Sequence, residues 1–600
     1  MLLLGFRLSL ATRPRITYFP DHMTPHRVFV LLTFALVAGS VHAQGIPGAI
    51  VGRVTMQGKP LVRARVVIDS DVLQNTRVTT TTTRGTYWAG VLPPGVYRVT
   101  FSHAGAQTVT RKAVLRLGET VRLDADVEPS EEGEQVTLTT VTRSIFERPQ
   151  IETSVKSAEI DDLPVARDLP SRASLAPGVF AGAIRRSQSN VFIVDGVEQR
   201  RRGANVEVEE AIEDATVVSS PISPEYGRFS GGVIAASTRT GGNVLDGSIR
   251  DTITSERWIV GTAPHEGSEL HSRGEAALGG GIIRDALWFF LAGETGSSAF
   301  DSRERSGLVK LTGSPDSHDT VVVSALRAST PDESRGAAEY TSVPTKNSVF
   351  DARIDTSRVG DSREHHSTVA AHVFLPAHVG GEHALTAGAD RFGGSNGFFA
   401  NDDWTDGGRW IVSAGARYDE DIGTSPRAGV VYDLAGDGRA RLSATWAHYA
   451  ATRSDSARET TLAYSQRVFT NGFGRAALVR RMYESGQSYR GLEAELRMDY
   501  LLFTVGGTAT VAHGMNGGSV WISATPPALE QHVNASILQR VRQSDTATDI
   551  SLQYRFGRFI VEPFLKIDIL NLSNHTMPIR PGEDPIGAHR ALRIAVGARL

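Results

Sequence analysis

Leu492-Glu493-Ala494-Glu495-Leu496-Arg497-Met498-Asp499-Tyr500 alternates apolar and charged side chains without a break. Successive side chains of a strand point to opposite faces, so this segment reads as a strand with one apolar and one charged face. The same period runs through Ala440, Leu442, Ala444 and Trp446 against Arg441, Ser443 and Thr445, and through Leu592, Ile594, Val596, Ala598 and Leu600 against Arg593, Ala595, Gly597 and Arg599. Many stretches after Gly247 share it. A soluble sandwich alternates in the same way, but this many strands would need a covering layer, and no helical pattern supplies one. Lipid against the apolar face and water against the polar one fits better. Residues 247–600 are therefore read as a transmembrane antiparallel β-barrel, closed because the bilayer leaves no backbone group unpaired.

The bulk numbers agree. The chain has 600 residues and a hydrophobic fraction of 40%. No internal run approaches the roughly 20 apolar residues of a membrane-spanning helix. A net charge of −3 gives no broad nucleic-acid-binding face. The absence of cysteine excludes thiol catalysis, disulfide frameworks and Cys-ligated zinc. At the amino end, Val28 to Ala38 is an apolar run preceded by His26-Arg27 and followed by Val41-His42-Ala43. It has the form of a secretory leader over 1–43, with cleavage before Gln44 and an alternative start at Met23.

Residues 44–128 hold short strands with frequent turns: Ile50 to Val54, Arg63 to Ile68, Val78 to Thr83, one from Tyr87, and Val96 to Val99 after the turn Leu92-Pro93-Pro94-Gly95. That spacing predicts a β-sandwich. Gly52-Arg53-Val54, Gly58, Ala64-Arg65-Val66, Gly85-Thr86-Tyr87 and Leu92 to Tyr97 resemble the carboxypeptidase regulatory-like domain, a structural module with a carbohydrate-binding-like sandwich. Residues 129–149 read as a linker. Within it Glu134 to Thr139 alternates, and is either a strand able to add to a partner's sheet edge, the last strand of the sandwich, or plain linker.

Residues 150–246 read as a mixed α/β segment. Leu163-Pro164 with Arg167, Ala176-Pro177-Gly178-Val179, Val194-Asp195-Gly196, Glu225-Tyr226-Gly227, Gly231-Gly232-Val233-Ile234 and Thr238-Arg239-Thr240-Gly241-Gly242 follow in order. The series resembles the plug of TonB-dependent outer-membrane receptors. Ala277 to Asp285 before Leu287-Trp288-Phe289-Phe290, Asp402-Asp403-Trp404, Ala414 to Asp419, Ser425 to Gly429 and Asn571-Leu572-Ser573-Asn574 resemble barrel segments of the Oar-like subgroup. The resemblance implies a mainly β chain: sandwich, plug, then a barrel of 22 strands or fewer. It also makes Glu134, Val136 and Leu138 candidates for the box that pairs with an inner-membrane TonB-type motor. Glycines suit close packing of plug backbone on a wall, and Glu225, Arg228 and Arg239 are candidates for ionic contacts that hold it. Arg185 and Arg186, with Arg200, Arg201 and Arg202, form basic loops that line a ligand vestibule or are merely solvated.

Two departures stand out. About 350 residues for some 22 strands leaves short loops or missing strands, since each strand takes about 9–11 residues. The chain ends in Leu600, where such barrels usually end in an aromatic residue, and aromatics are only 7%. Chemistry is sparse. No nucleotide loop and no H-E-x-x-H occurs. Gly393-Gly394-Ser395-Asn396-Gly397 matches a nucleophile elbow in letters but is read as a loop. His365-His366 and Asp402-Asp403 are read as loop pairs rather than metal sites. The resulting expectation is a receptor that takes up an extracellular ligand (iron chelate, glycan, peptide or cobalamin class) from its seat in the outer-membrane lipid bilayer, with no cofactor, no nucleic acid and no catalysis. The alternatives are a non-transporting binding or adhesion protein on the same scaffold, and a surface hydrolase.

Overall fold

The computed structural model describes residues 48–600 apart from internal segments, the longest of which are 143–150, 200–207, 261–269 and 575–588. The expected leader, Glu134, and the three arginines Arg200, Arg201 and Arg202 lie outside the described residues.

The amino-terminal domain is a two-sheet sandwich. One sheet pairs β1 (Gly48–Met56) with β2 (Lys59–Pro60), β5 (Thr86–Leu92), β8 (Thr120–Arg122) and β9 (Ala125–Val127). In the other, β10 (Gln135–Thr142), β7 (Thr108–Leu115), β6 (Gly95–Ser102), β3 (Arg65–Asp69) and β4 (Arg77–Thr80) lie in that order. Alternate residues such as Val66, Ile68, Val99 and Phe101 point inward and form one core with Ile50, Val121 and Leu123. Tyr87 enters that core, and its hydroxyl donates to the Leu123 carbonyl at 2.7 Å, which satisfies a buried polar group. The alternating linker segment falls in β10, parallel to β7 with Val136 opposite Val109, at the edge of its sheet.

The second domain is a five-stranded sheet in the order β11 (Ile151–Lys156), β16 (Ile212–Ser220), β17 (Val233–Thr238), β14 (Val191–Val194) and β15 (Val197–Gln199). Two short helices, α1 (Ser157–Asp162) and α2 (Leu169–Ala173), pack beside it. Asp168 caps α2 by accepting from the Ser171 amide at 2.8 Å. Arg172, fully buried, donates to the Arg167 carbonyl and to Ser157 Oγ, which ties the two helices together. All six residues of β17 are buried. A sheet hidden on both faces needs a surround, and the third domain is that surround.

That domain is a closed barrel of 22 antiparallel strands. It runs from β18 (Asp246–Ile259) to β39 (Ala591–Arg599), and these two strands pair with each other, Ser248 opposite Arg599. The shortest strands, such as β39, have 9 residues, and β25 (Ser362–His378) has 17, so each is long enough to span. Both ends of the barrel chain therefore lie at one mouth, called here the inner one. At the outer mouth the connections are as short as 299–300, 330–331 and 360–361, and only 260–269 and 571–590 exceed five residues. No strand is missing; the loops are short.

The outward faces carry exposed Leu442, Trp446, Leu492, Leu496, Leu462 and Leu478, while Arg441, Thr445, Glu493, Glu495 and Arg497 are buried inside. An exposed apolar belt on a closed barrel is a lipid-facing surface. The two polar pairs expected in loops lie in strands instead. His365-His366 sits in β25, with His366 buried inward, and Asp402-Asp403 sits in β27 (Ser395–Thr405). Short connections draw these residues into the wall. Gly393-Gly394 forms a turn ahead of β27, and no helix follows Ser395.

Candidate functional site

The lumen is filled by the second domain, and charge holds it there. Arg185 is fully buried. Its Nε and Nη2 donate to both oxygens of Glu493 on β33 (Ser488–Tyr500), and its Nη1 donates to Glu459 on β31 (Ser456–Val468) at 2.8 Å. Arg481 on β32 (Gly472–Tyr483) shares Glu459 and donates to the carbonyls of Ser230 and Gly231. Arg185 is thus an anchor rather than part of an exposed vestibule, because two wall carboxylates meet it where solvent was expected. Its neighbour Arg186 is half-buried and donates to the His513 carbonyl at 3.0 Å. Of the five arginines expected to line a vestibule or stand in solvent, the two described ones are fully buried (Arg185) and half-buried (Arg186); Arg200, Arg201 and Arg202 fall in the undescribed segment 200–207.

A second node joins Asp161 to Arg167, Arg250 and Arg599, at 3.2, 3.0 and 2.5 Å. Arg167 also reaches Glu210 at 2.6 Å and Glu275 of β19 (Leu270–Ile283) at 2.7 Å. Burial alone would raise the Asp161 carboxyl, but Arg167, Arg250 and Arg599 outweigh it and hold it well below the usual carboxylate range. A third node sets Arg228 against Asp390 and Asp419, at 2.8 and 3.1 Å, with Arg417 bridging the same two carboxylates.

The glycines of the sequence motifs mark the tightest approaches. A Cβ on Gly227 would lie 1.9 Å from Arg417 Nε, and one on Gly241 would lie 2.1 Å from the Phe289 carbonyl oxygen. Gly178 has φ +77° and would push a Cβ to 2.5 Å from Glu493. Asp195 and Gly196, at φ +48° and +76°, form the two-residue turn between β14 and β15. The Asp195 carboxylate then accepts from the Thr238 amide and from Lys310 Nζ of β21 (Asp301–Gly313), so the turn is also a tie to the wall.

Residues 49–128 match the family model of the carboxypeptidase regulatory-like domain. The TonB-dependent transporter Oar of Myxococcus xanthus is 30% identical over 263 residues, 39% of this chain and 25% of that protein, so the match spans a quarter of the curated relative's length. The siderophore receptor PirA from Pseudomonas aeruginosa superposes with a TM-score of 0.61 at 16% identity, over 75% of this chain and 99% of that one. The ferric-catecholate import receptor Fiu from E. coli K12 gives 0.61 at 12%, over 76% and 96%.

This is the TonB-dependent receptor fold. Its plugged barrel and apolar belt place the chain in the outer membrane of a Gram-negative bacterium. Within that fold the second domain is the plug, and the motif residues sort by what they touch. Arg228 ties plug to barrel. Arg239 stays within the plug, 3.5 Å from Glu210 and 3.8 Å from Glu213, so it stiffens the plug rather than seating it. Glu225 offers its carbonyl to Arg417, and Tyr226 offers its own to Arg427 at 2.8 Å. Gly231 and Gly232 lie under Asn190 and Ile184. Sequence reading did not single out the wall side of these ties, among them Arg250, Glu275, Lys310, Asp390, Arg417, Asp419, Arg427, Glu459, Arg481, Glu493 and Arg599. Each sits on the polar face of an alternating strand, which was the available signal. Among the described residues no cluster of metal-ligating side chains occurs.

Proposed function

We propose that this chain is a TonB-dependent receptor that binds a ligand at its outer face and imports it when an inner-membrane TonB-type motor pulls on the plug. The observation that carries the reading is the plug itself, a five-stranded sheet with its own strand order fastened inside a 22-strand lumen by buried ion pairs. Such a closure is useful only if something opens it, and the chain carries no nucleotide-binding motif of its own. The energy must then come from a partner at the inner mouth. Val136 and Leu138 are candidates for that contact. They lie on β10, whose far edge has no neighbouring strand among the described residues and could take one. Ferric chelates are the first ligands to try, since the fold's solved relatives include siderophore receptors.

The short outer connections favour a second reading, a binding or adhesion protein that does not transport, because little chain is left to enclose a captured ligand. Deleting residues 134–140 and following radioactive iron supplied as a panel of ferric chelates separates the two. Loss of uptake with surface binding retained supports import. Binding with no uptake in the parent supports the second reading.

A further inference from the structure

The sandwich does not hang free below the barrel. Its β5 puts Tyr87 and Ala89 into its own core and turns Thr86, Trp88 and Gly90 the other way. Trp88 stacks on Phe374 of β25, with ring centroids 5.8 Å apart and planes 8° from parallel. Thr86 donates its hydroxyl to Glu382, at the start of β26 (Gly381–Phe392), at 2.5 Å. Arg53 donates to the Gly407 carbonyl, in the inner turn before β28 (Trp410–Asp419), at 3.0 Å. Gly90 allows the seating, because a Cβ there would lie 1.9 Å from the Trp88 ring. Phe374 and Glu382 are 7% and 6% exposed, so the wall side of the seam is covered at its centre, while Trp88 and Arg53 stay half-buried at its rim.

Above the seam lies a cavity of about 70 Å³. Gly48, Trp88 and Gly90 of the sandwich form one side of it, Pro221 to Tyr226 of the plug another, and His372, Thr386 and Ser413 of the wall a third. At roughly 10–15 Å³ of such space per water, it holds a few waters and no larger solute. We propose that the sandwich is a second closure of the lumen: seated on β25 to β28, it is the floor of a small chamber beneath the plug, and it must unseat before a solute leaves along this wall. The seat is one stacked ring pair and a few hydrogen bonds, small enough to break without unfolding either domain.

The chain's lack of cysteine makes the test direct. Ser413→Cys places a single thiol in the chamber of the full-length protein, to be challenged with a membrane-impermeant polyethylene-glycol maleimide. The expected result is slow labelling in the Ser413→Cys parent and labelling at least tenfold faster when Glu382→Ala or Gly90→Ala is added. Glu382→Ala leaves the sandwich sequence untouched, so its effect cannot come from an unfolded sandwich. Equal labelling in parent and seam variants would overturn the proposal, and so would protection in all of them, since the plug and wall would then be sealing the chamber alone. The readout needs neither ligand nor motor, so it stands or falls separately from import.

Discussion

Arg185 of the plug and Glu493 of the barrel form a bidentate pair, Nε to Oε1 at 2.8 Å and Nη2 to Oε2 at 2.7 Å, with both side chains buried. A guanidinium fork on a carboxylate gives direction as well as attraction. Removing one partner leaves the other as an uncompensated buried charge, at a cost of about 3–5 kcal/mol.

Arg185→Ala should therefore loosen the plug more than Glu493→Gln does. The alanine variant leaves Glu493 with no guanidinium and Glu459 with Arg481 alone. Protease sensitivity of the plug at fixed temperature measures this. A double-mutant cycle should show coupling between the two positions, and strict additivity would mean the pair does not act as drawn.

Acid should release the plug through the Asp161 node. The carboxyl is held below its unfolded value by Arg167, Arg250 and Arg599 against the pull of burial. Its contribution is therefore complete above roughly pH 4, the ordinary carboxyl range, and is lost as the pH falls through the lower folded value. Glu210 is depressed in the same sense by Arg167 and Arg239 against burial, and adds to the slope. Plug proteolysis between pH 6 and pH 2 should rise at the acid end, and Asp161→Asn should flatten the rise. An identical profile in the variant would remove Asp161 from the account.

Gly241→Ala should disturb the junction of plug and barrel. The new Cβ meets the backbone oxygens of Phe289 and Gly280 at 2.1 and 2.9 Å, and backbone in a paired sheet cannot step aside. Gly274→Ala is the matched control, its Cβ meeting nothing nearer than 3.8 Å. The first should lower the temperature at which the folded band converts on a gel, and the second should leave it within error. Strain of this kind typically costs about 1–3 kcal/mol.

Closure of the barrel predicts heat-modifiable migration: unheated protein in detergent should run differently from boiled protein. Truncation before Ala591 removes β39, which seals the barrel between β38 (Glu562–Leu570) and β18, and should abolish the shift by leaving two strand edges unpaired. A shift that survives truncation would mean that β39 is not what closes the sheet.

Much of the fold was readable one strand at a time. The alternations at 440–446, 492–500 and 592–600 fall in β30 (Ala440–Ala450), β33 and β39, and the early hairpin turns at 284–286 between β19 and β20 (Leu287–Ser298). The sandwich strands fell close to their expected places, though β2 and β7 to β9 were not anticipated. The site was less readable. Arg185 and Arg186 are adjacent basic residues with positive φ, alike in sequence, yet one is sealed between two glutamates and the other is half-buried against the Ser488 and His513 carbonyls.

What the sequence determined by itself is local: which residues alternate, where chain direction reverses, and that one face of each strand must avoid water. A period of two needs only neighbouring residues to be read. The partners of the inward charges are a different matter. Glu493, Glu495 and Arg497 read as a polar face awaiting water, but they meet Arg185, Thr153 and Glu159, which lie 308, 342 and 338 residues earlier in the chain. Only closure of the sheet around the plug decides that meeting, because a buried charge is tolerated only where an opposite charge or a hydrogen bond is delivered to it. The seat of the sandwich at the inner mouth was decided the same way, by the surfaces that folding brought together.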